Sequence, residues 1–309
     1  MLREMRCMAQ FDRIYRLTVG NDVDAVLIQS NPREQGLNIS FDIDKDLTQQ
    51  TNKCRVEVYN LSDSTAKKLE RDDIVCILEV GYSEDVGLRR IFVGEVVEAW
   101  TRLSGSDKIT TLELSDGQKA IRDSLVSLSY APGVSRQKVI DDIASDMGIA
   151  VTYAEGLTFT RFANGFSFIG PGRSCLDKVC AGTRLNWSIQ NNVLQIIETG
   201  GTTQNYALKL TKESGLIGSP ERIVKGVKRI DKEQSREVEK TKADRKAGWK
   251  LRSLLQPALN PGDIIYMESR TVTGWFVIET LKHIGTYAGN DWYTDMEVYE
   301  IGGEMNNAQ

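Results

Sequence analysis

The chain has 309 residues, of which 40% are hydrophobic and 27% charged, with a net charge of −4; this composition is that of a globular protein large enough for more than one core. The acidic balance argues against a nucleic-acid binder, whose affinity rests on basic residues at phosphates, and no run of 18 apolar residues is present to span a membrane. The five cysteines, Cys7, Cys54, Cys76, Cys175 and Cys180, form no C-x-x-C pair, which argues against a disulfide frame or zinc site and suits buried thiols in a reducing compartment.

In chain order, the start MLREMRCMAQFDRIYR places charges where a signal peptide needs an apolar stretch. Phe11–Val19 and Val23–Ile28 read as strands joined by Gly20-Asn21-Asp22, residues that suit a turn. Leu37–Ile43 alternates strictly, with Leu37, Ile39, Phe41 and Ile43 on one face. Arg55–Tyr59 is a further strand, and Ser62 caps a short helix carrying Ala66 and Leu69 on one side.

From Asp72 to Gly117 runs a hairpin pattern that recurs from Gly262 to Ile301. A shift of 184 aligns Phe92–Gly117 with Phe276–Ile301 without a gap and gives seven identities in 26 positions: Phe92, Val93, Glu95, Gly105, Asp107, Thr110 and Glu113 fall on Phe276, Val277, Glu279, Gly289, Asp291, Thr294 and Glu297. Amphipathic hairpins share this alternation in general, but identities in this order favour a duplication. Between Asp73 and Phe92 the first copy has six more residues than the second has between Asp263 and Phe276, an excess placed in the loop Gly81–Arg90. Glu84, Asp85, Arg89 and Arg90 give that loop both signs of charge and make it a candidate subunit interface. Trp275, after Gly274 at a strand start, is a candidate exposed aromatic anchor.

Beyond Gly117 the period changes. Ser135–Met147 places Val139, Ile140, Ile143 and Met147 on one helical stripe, with Ser135 as cap and Gly148 as stop. Phe159–Phe168 reads as a strand or packed loop, Ser174–Ala181 as a helix, and Asn186–Ile189 with Val193–Ile197 as a hairpin turning at Gln190-Asn191-Asn192. Lys225–Lys250 is a charge run poor in apolar residues, read as a solvated extension or an arm that orders on a partner. Trp249–Leu255 resumes strand character. The expected fold is mainly β with an α+β insert: two similar β-barrel domains at 1–117 and 202–309, the second with a charged loop at 228–250, flanking an α+β module at 118–201.

The sequence offers little chemistry. Its one histidine, His283, falls opposite Ala99 in the gapless alignment, with no ligand or triad partner at motif spacing. No G-x-S-x-G, P-loop or strand-linked G-x-G-x-x-G occurs. Glu95 with Glu113 has the residue types of a glycosidase pair, but both recur as Glu279 and Glu297, which suits a scaffold. No catalytic, cofactor or metal site is expected.

Three ordered sets of residues carry a family resemblance. Val58-Tyr59-Asn60-Leu61-Ser62, a helix, Asp73-Ile74-Val75, Gly81-Tyr82 and Ile91-Phe92-Val93-Gly94 resemble the opening domain of bacteriophage tail and baseplate hub proteins, the family that includes the T4-type hub. The middle order of helix, Gly-Pro-Gly-Arg-Ser, helix, Leu-Asn-Trp-Ser-Ile and Val-Leu-Gln-Ile-Ile, and the closing series from Gly215 to Trp292-Tyr293-Thr294, are similar to the rest of those proteins. The resemblance implies a homotrimer whose duplicated barrels form a pseudo-six-fold ring. That ring would join a hexameric tail tube or distal tail protein to a trimeric tail spike among other baseplate proteins, and DNA would pass through it without specific binding. It implies a place in the virion tail, assembled in the host cytoplasm. The alternatives are a non-catalytic base module of a related injection or secretion machine, and a tail-associated cell-wall hydrolase.

Overall fold

A computed structural model describes residues 12–30, 36–84, 87–203, 207–226 and 245–301. The chain is mainly β with an α+β insert. The first half contributes β1 (Arg13–Gly20), β2 (Ala25–Gln29), β3 (Ile39–Asp46), β4 (Lys53–Tyr59), α1 (Asp63–Leu69), β5 (Val75–Tyr82), β6 (Gly87–Ser104) and β7 (Asp107–Ser115). Alternation decides which side chains face inward. Ile39, Phe41 and Ile43 are buried along β3 while Leu37, just before it, stays partly exposed. The Ser62 hydroxyl accepts from the Thr65 N–H to start α1, and Ala66 and Leu69 are buried as the helical spacing requires.

The insert consists of α2 (Gln118–Asp123), β8 (Leu125–Tyr130), α3 (Arg136–Asp146), β9 (Ala150–Tyr153), β10 (Phe166–Pro171), α4 (Gly172–Cys180), β11 (Leu185–Gln190) and β12 (Val193–Glu198). Ser135 caps α3 through the Lys138 N–H, and Gly148 follows it at φ +68°, the left-handed conformation that glycine tolerates best. Asn191 and Asn192, both at positive φ, close β11 onto β12. The sequence reading missed α2, β8 and β9, which are short and lack a clear period. It also started α4 two residues late and left the strand in 159–168 undecided; only its end, from Phe166, is β10. Val139, Ile140, Ile143, Cys175, Leu176, Val179, Trp187 and Leu194 meet in a core separate from those of the flanking halves. The four described cysteines are buried and unpaired, and burial pushes their thiols above the ordinary range.

The second half contributes β13 (Ala207–Leu210), β14 (Leu216–Gly226), β15 (Arg245–Leu254), β16 (Ile264–Glu268), β17 (Thr273–Thr286) and β18 (Trp292–Glu300). The strand order β1-β5-β6-β7-β4-β3 in the first half recurs as β13-β16-β17-β18-β15-β14. In both halves the strands follow each other along the chain in the same sequence, apart from β2, which has no counterpart. The halves differ also in that β1 runs antiparallel to β5 whereas β13 runs parallel to β16. Of the charge run, 245–250 belongs to β15, while 227–244 lies outside the described residues.

The register corrects the gapless alignment. Each long hairpin has one bulge, between Val96 and Glu98 opposite Leu114 and Glu113, and between Ile278 and Thr280 opposite Val298 and Glu297. With the bulges as landmarks, β7 maps to β18 by 184 but β6 maps to β17 by 182. The difference is taken up in the turns: Ser104 pairs directly with Asp107, whereas Gly285 pairs with Trp292 across a longer loop. The matches at Asp107, Thr110 and Glu113 therefore hold, while Gly105 and Gly289 lie in turns of different length, Phe92 and Phe276 do not share a row, and His283 stands at the row of Thr101, not Ala99. Phe276 instead occupies the row of Gly94, and Gly274 that of Phe92. A Cβ on Gly94 would lie 2.7 Å from the Phe92 ring and 2.6 Å from the Ser115 carbonyl oxygen, so Phe92 fills the space that Phe276 fills from its own row. Phe-x-Gly has become Gly-x-Phe around one core position. Gly94→Ala should therefore cost about 1–3 kcal/mol in urea unfolding, because the contacted oxygen is backbone and cannot yield. Gly274→Ala, whose Cβ would meet Phe276 at an ordinary 3.5 Å, should be close to neutral; equal losses at both would refute this exchange of positions.

The two halves are bonded to each other. β17 pairs with β3 over Thr280–Thr286, so that strands of both halves form one thirteen-stranded sheet among the described residues. The longer β17–β18 turn is used here. Arg13 donates to the carbonyls of Thr286 and Gly289, the Tyr287 N–H donates to Ile39 O, and the Tyr15 and Tyr287 rings meet edge-on at 4.9 Å. Trp292 and Leu255 are buried among first-half residues, with Trp292 edge-on to Phe41. The first core thus extends beyond residue 117 into the second half.

Candidate assembly site

The residues singled out in the sequence fall on two corresponding hairpins. β5–β6 has eight paired rows, from Val75 and Glu95 to Tyr82 and Gly87, with four residues of sequence between its arms. β16–β17 has five, from Ile264 and Val277 to Glu268 and Thr273, and turns over 269–272. The loops are equally long, so the extra residues of the first copy lengthen its arms and do not enlarge its loop. Glu84 is exposed in the turn, and Asp85 lies outside the described residues. Arg89 and Arg90 are exposed on β6 opposite Val80 and Glu79, strand positions and not loop positions as expected from the sequence. Trp275 lies on β17 opposite Tyr266, their rings 5.0 Å apart, and remains 37% exposed. Within one chain these residues are not brought together, because the hairpins belong to different halves of the sheet.

The structure does bring together a set of buried polar residues that the sequence reading missed, at the meeting point of the two halves and the insert. Asp116, at the end of β7, accepts from the Asn52 N–H at 2.7 Å, the Asn52 side-chain amide at 2.9 Å and the Asn191 N–H at 2.9 Å. The Asn52 amide also donates to Ile189 O, and Gln190 Nε2 to Asp46 O, which ties the insert's hairpin to the first half. Lys45, 3% exposed, donates to Asn191 Oδ1 and Asn260 Oδ1, both at 3.0 Å, so its ammonium touches all three parts of the chain. Asp263 accepts from the Thr203 hydroxyl at 2.8 Å and from the Asn260 N–H at 2.8 Å. One signal of this joint was present in the sequence: Lys45 continues the inward positions Ile39, Phe41 and Ile43, where a charge needs buried partners.

Burial dominates the electrostatics here. It pushes the Asp116 and Asp263 carboxyls up to about 6, against the donors that hold their charged forms. It brings Lys45 down to about 8 despite the nearby carboxylates. His283 is buried with Nδ1 2.9 Å from the Thr294 hydroxyl, and burial, with the Lys45 charge added, holds it well below the usual imidazole range. The joint is therefore a set of mutually engaged groups, and its evident work is to fix the insert against both halves. The carboxylates raised as a glycosidase pair are engaged separately, Glu95 by the Gln118 N–H and Glu113 by Arg55. Among the described residues no cluster of three metal-ligating side chains occurs, and no helix is long and apolar enough to cross a membrane.

No protein-family model matches this sequence, and no curated protein matches it. Solved structures do. The tail protein from Neisseria meningitidis MC58 superposes with a TM-score of 0.59 over 93% of this chain and 97% of its own, at 10% identity. The 43 kDa tail protein of prophage MuSo2 from Shewanella oneidensis gives 0.59 over 93% and 98%, also at 10% identity. A component of the type VI secretion system of E. coli, described as structurally similar to T4 bacteriophage tail proteins, gives 0.56 over 88% of this chain and 75% of its own, at 10% identity. The fold of this chain is therefore that of bacteriophage tail proteins, retained along nearly their whole length.

Proposed function

We propose that this chain is a structural hub of a phage tail baseplate: a trimer whose duplicated halves form a pseudo-six-fold ring between a hexameric tube and a trimeric spike, open for DNA to pass. The observation that carries this reading is the repeated strand order joined through β3 and β17. One chain offers two versions of a single surface, so three chains supply six similar units while keeping true three-fold symmetry. Glu84, Asp85, Arg89, Arg90 and Trp275 serve as contacts to neighbouring subunits on the two corresponding hairpins. The role is non-enzymatic, with no cofactor, and the negative net charge keeps DNA from adhering to the wall. The likeness to a type VI secretion component supports a second reading, a base module of a secretion machine, but that likeness spans less of the neighbour's chain. Solution mass by light scattering tests the proposal. A mass of three chains, alone or on addition of the tube protein, is expected; a single-chain mass under both conditions overturns it.

A further inference from the structure

The junction between the halves occurs once within the chain, while the same two surfaces are left open elsewhere. β18 lies along one edge of β17, and the other edge is divided: β16 takes 273–277 and β3 takes 280–286. On β6, the counterpart of β17, β7 lies along one edge and β5 covers the other only as far as Glu95, followed by one bond from the Val96 N–H to Ile74 O. Among the described residues, no backbone group pairs with that edge from Val97 to Ser104. Among the described residues, β14, the counterpart of β3, is bonded on its β15 side alone. The described residues thus fill the β3–β17 junction and leave the β14–β6 one unfilled.

We infer that the unfilled junction closes between copies: β14 of one chain pairs antiparallel with the outer part of β6 of the next, in the register set by β3 and β17. The inference rests on the ring proposed above and names the strands that close it. The bulges place Arg102 at the row of Ile284, which pairs with Asp42. Glu221 stands at the row of Asp42, because Glu221 pairs with Lys250 and Lys250 with Glu297, as Asp42 pairs with Arg55 and Arg55 with Glu113. Transferring the register sets Glu221 opposite Arg102, Arg222 opposite Thr101, Ile223 opposite Trp100 and Val224 opposite Ala99.

Three observations support a second copy as the occupant. Opposite charges meet at Glu221 and Arg102, and directly opposed charges of unlike sign favour a cross-strand pair. Large apolar side chains are uncovered on these two strands, with Val97 52%, Leu103 80% and Val224 56% exposed; an unprotected edge of this kind is a template for another strand. Bulk is also exchanged across the junction. Within the chain, Phe41 lies against Gly285, where a Cβ would clash with its ring. At the open junction the row of Gly285 holds Leu103, and the row of Phe41 falls in the irregular Gly218–Pro220 stretch.

Opposed residues of an antiparallel ladder have Cα atoms about 4.5–5.5 Å apart, within reach of a disulfide. The test is Arg102→Cys with Glu221→Cys in a Cys7→Ser background, the other cysteines being buried, oxidised and run on a non-reducing denaturing gel beside native mass measurements. A reductant-sensitive band at three chains is expected. Each single variant should give none, and the out-of-register pair Arg102→Cys with Ile217→Cys far less. A native trimer without the cross-link overturns the strand pairing and leaves the ring intact. Cross-linked ladders beyond three chains keep the pairing and overturn closure at three. A single-chain mass without cross-link, both alone and on addition of the tube protein, overturns both.

Discussion

Phe92→Ala and Phe276→Ala are each expected to lower the stability of the protein by about 3–5 kcal/mol, the range for deleting a buried aromatic ring and leaving its cavity. Phe92 is 0% exposed in the core of the first half and Phe276 1% exposed in that of the second. They fill corresponding space from rows two residues apart, so neither can replace the other. Because they belong to separate cores, the double variant should show the sum of the single losses to within about 0.5 kcal/mol. Urea unfolding of the three variants checks this. Losses below about 1 kcal/mol at both sites would mean that the rings are not buried as placed.

Asp116→Ala is expected to cost about 3–5 kcal/mol as well, for a different reason. The substitution leaves the N–H of the buried Asn52 and the Asn191 N–H without their acceptor, and it takes a carboxylate away from the buried Lys45 ammonium. Asp116→Asn retains one acceptor oxygen and should lose less. The same pair reports on pH. Burial raises Asp116 from about 4 in the unfolded chain to about 6, so the native state holds this proton the more tightly. Its stabilising contribution is fully present below about pH 4 and is lost as pH rises through 6. Asp263 has the same sign. His283, depressed by burial, has the opposite sign: the native state resists its protonation, and stability falls as pH drops below the ordinary imidazole value. Both remain in Asp116→Asn, so the change in pH slope between parent and variant isolates Asp116, on the order of 2–3 kcal/mol across pH 4 to 7. Parallel slopes for the two proteins would show that Asp116 titrates as an exposed carboxyl.

The sequence by itself determined the local elements wherever a short-range rule sufficed. The alternation of Ile39, Phe41 and Ile43 decided the inward face of β3, Ser62 and Ser135 started their helices, and Asn191-Asn192 made a tight turn. It also determined that the chain contains a duplication, because Thr110 with Thr294 and Glu113 with Glu297 stand at corresponding rows. Only the tertiary structure decided how the copies are related in register. A two-residue difference in a turn leaves the inward and outward alternation unchanged, since the side-chain period is two; the shift is therefore silent in the pattern, and Phe92 aligned with Phe276 for the wrong reason. Short elements such as β9, which borrows its hydrogen bonds from β12, had no period long enough to read. The joint of Lys45, Asn52, Asp116 and Asp263 was equally out of reach, because its members are up to 218 positions apart by number, from Lys45 to Asp263. Each is an ordinary polar residue in sequence. Only the meeting of three parts of the chain removes them from water and makes each depend on the others.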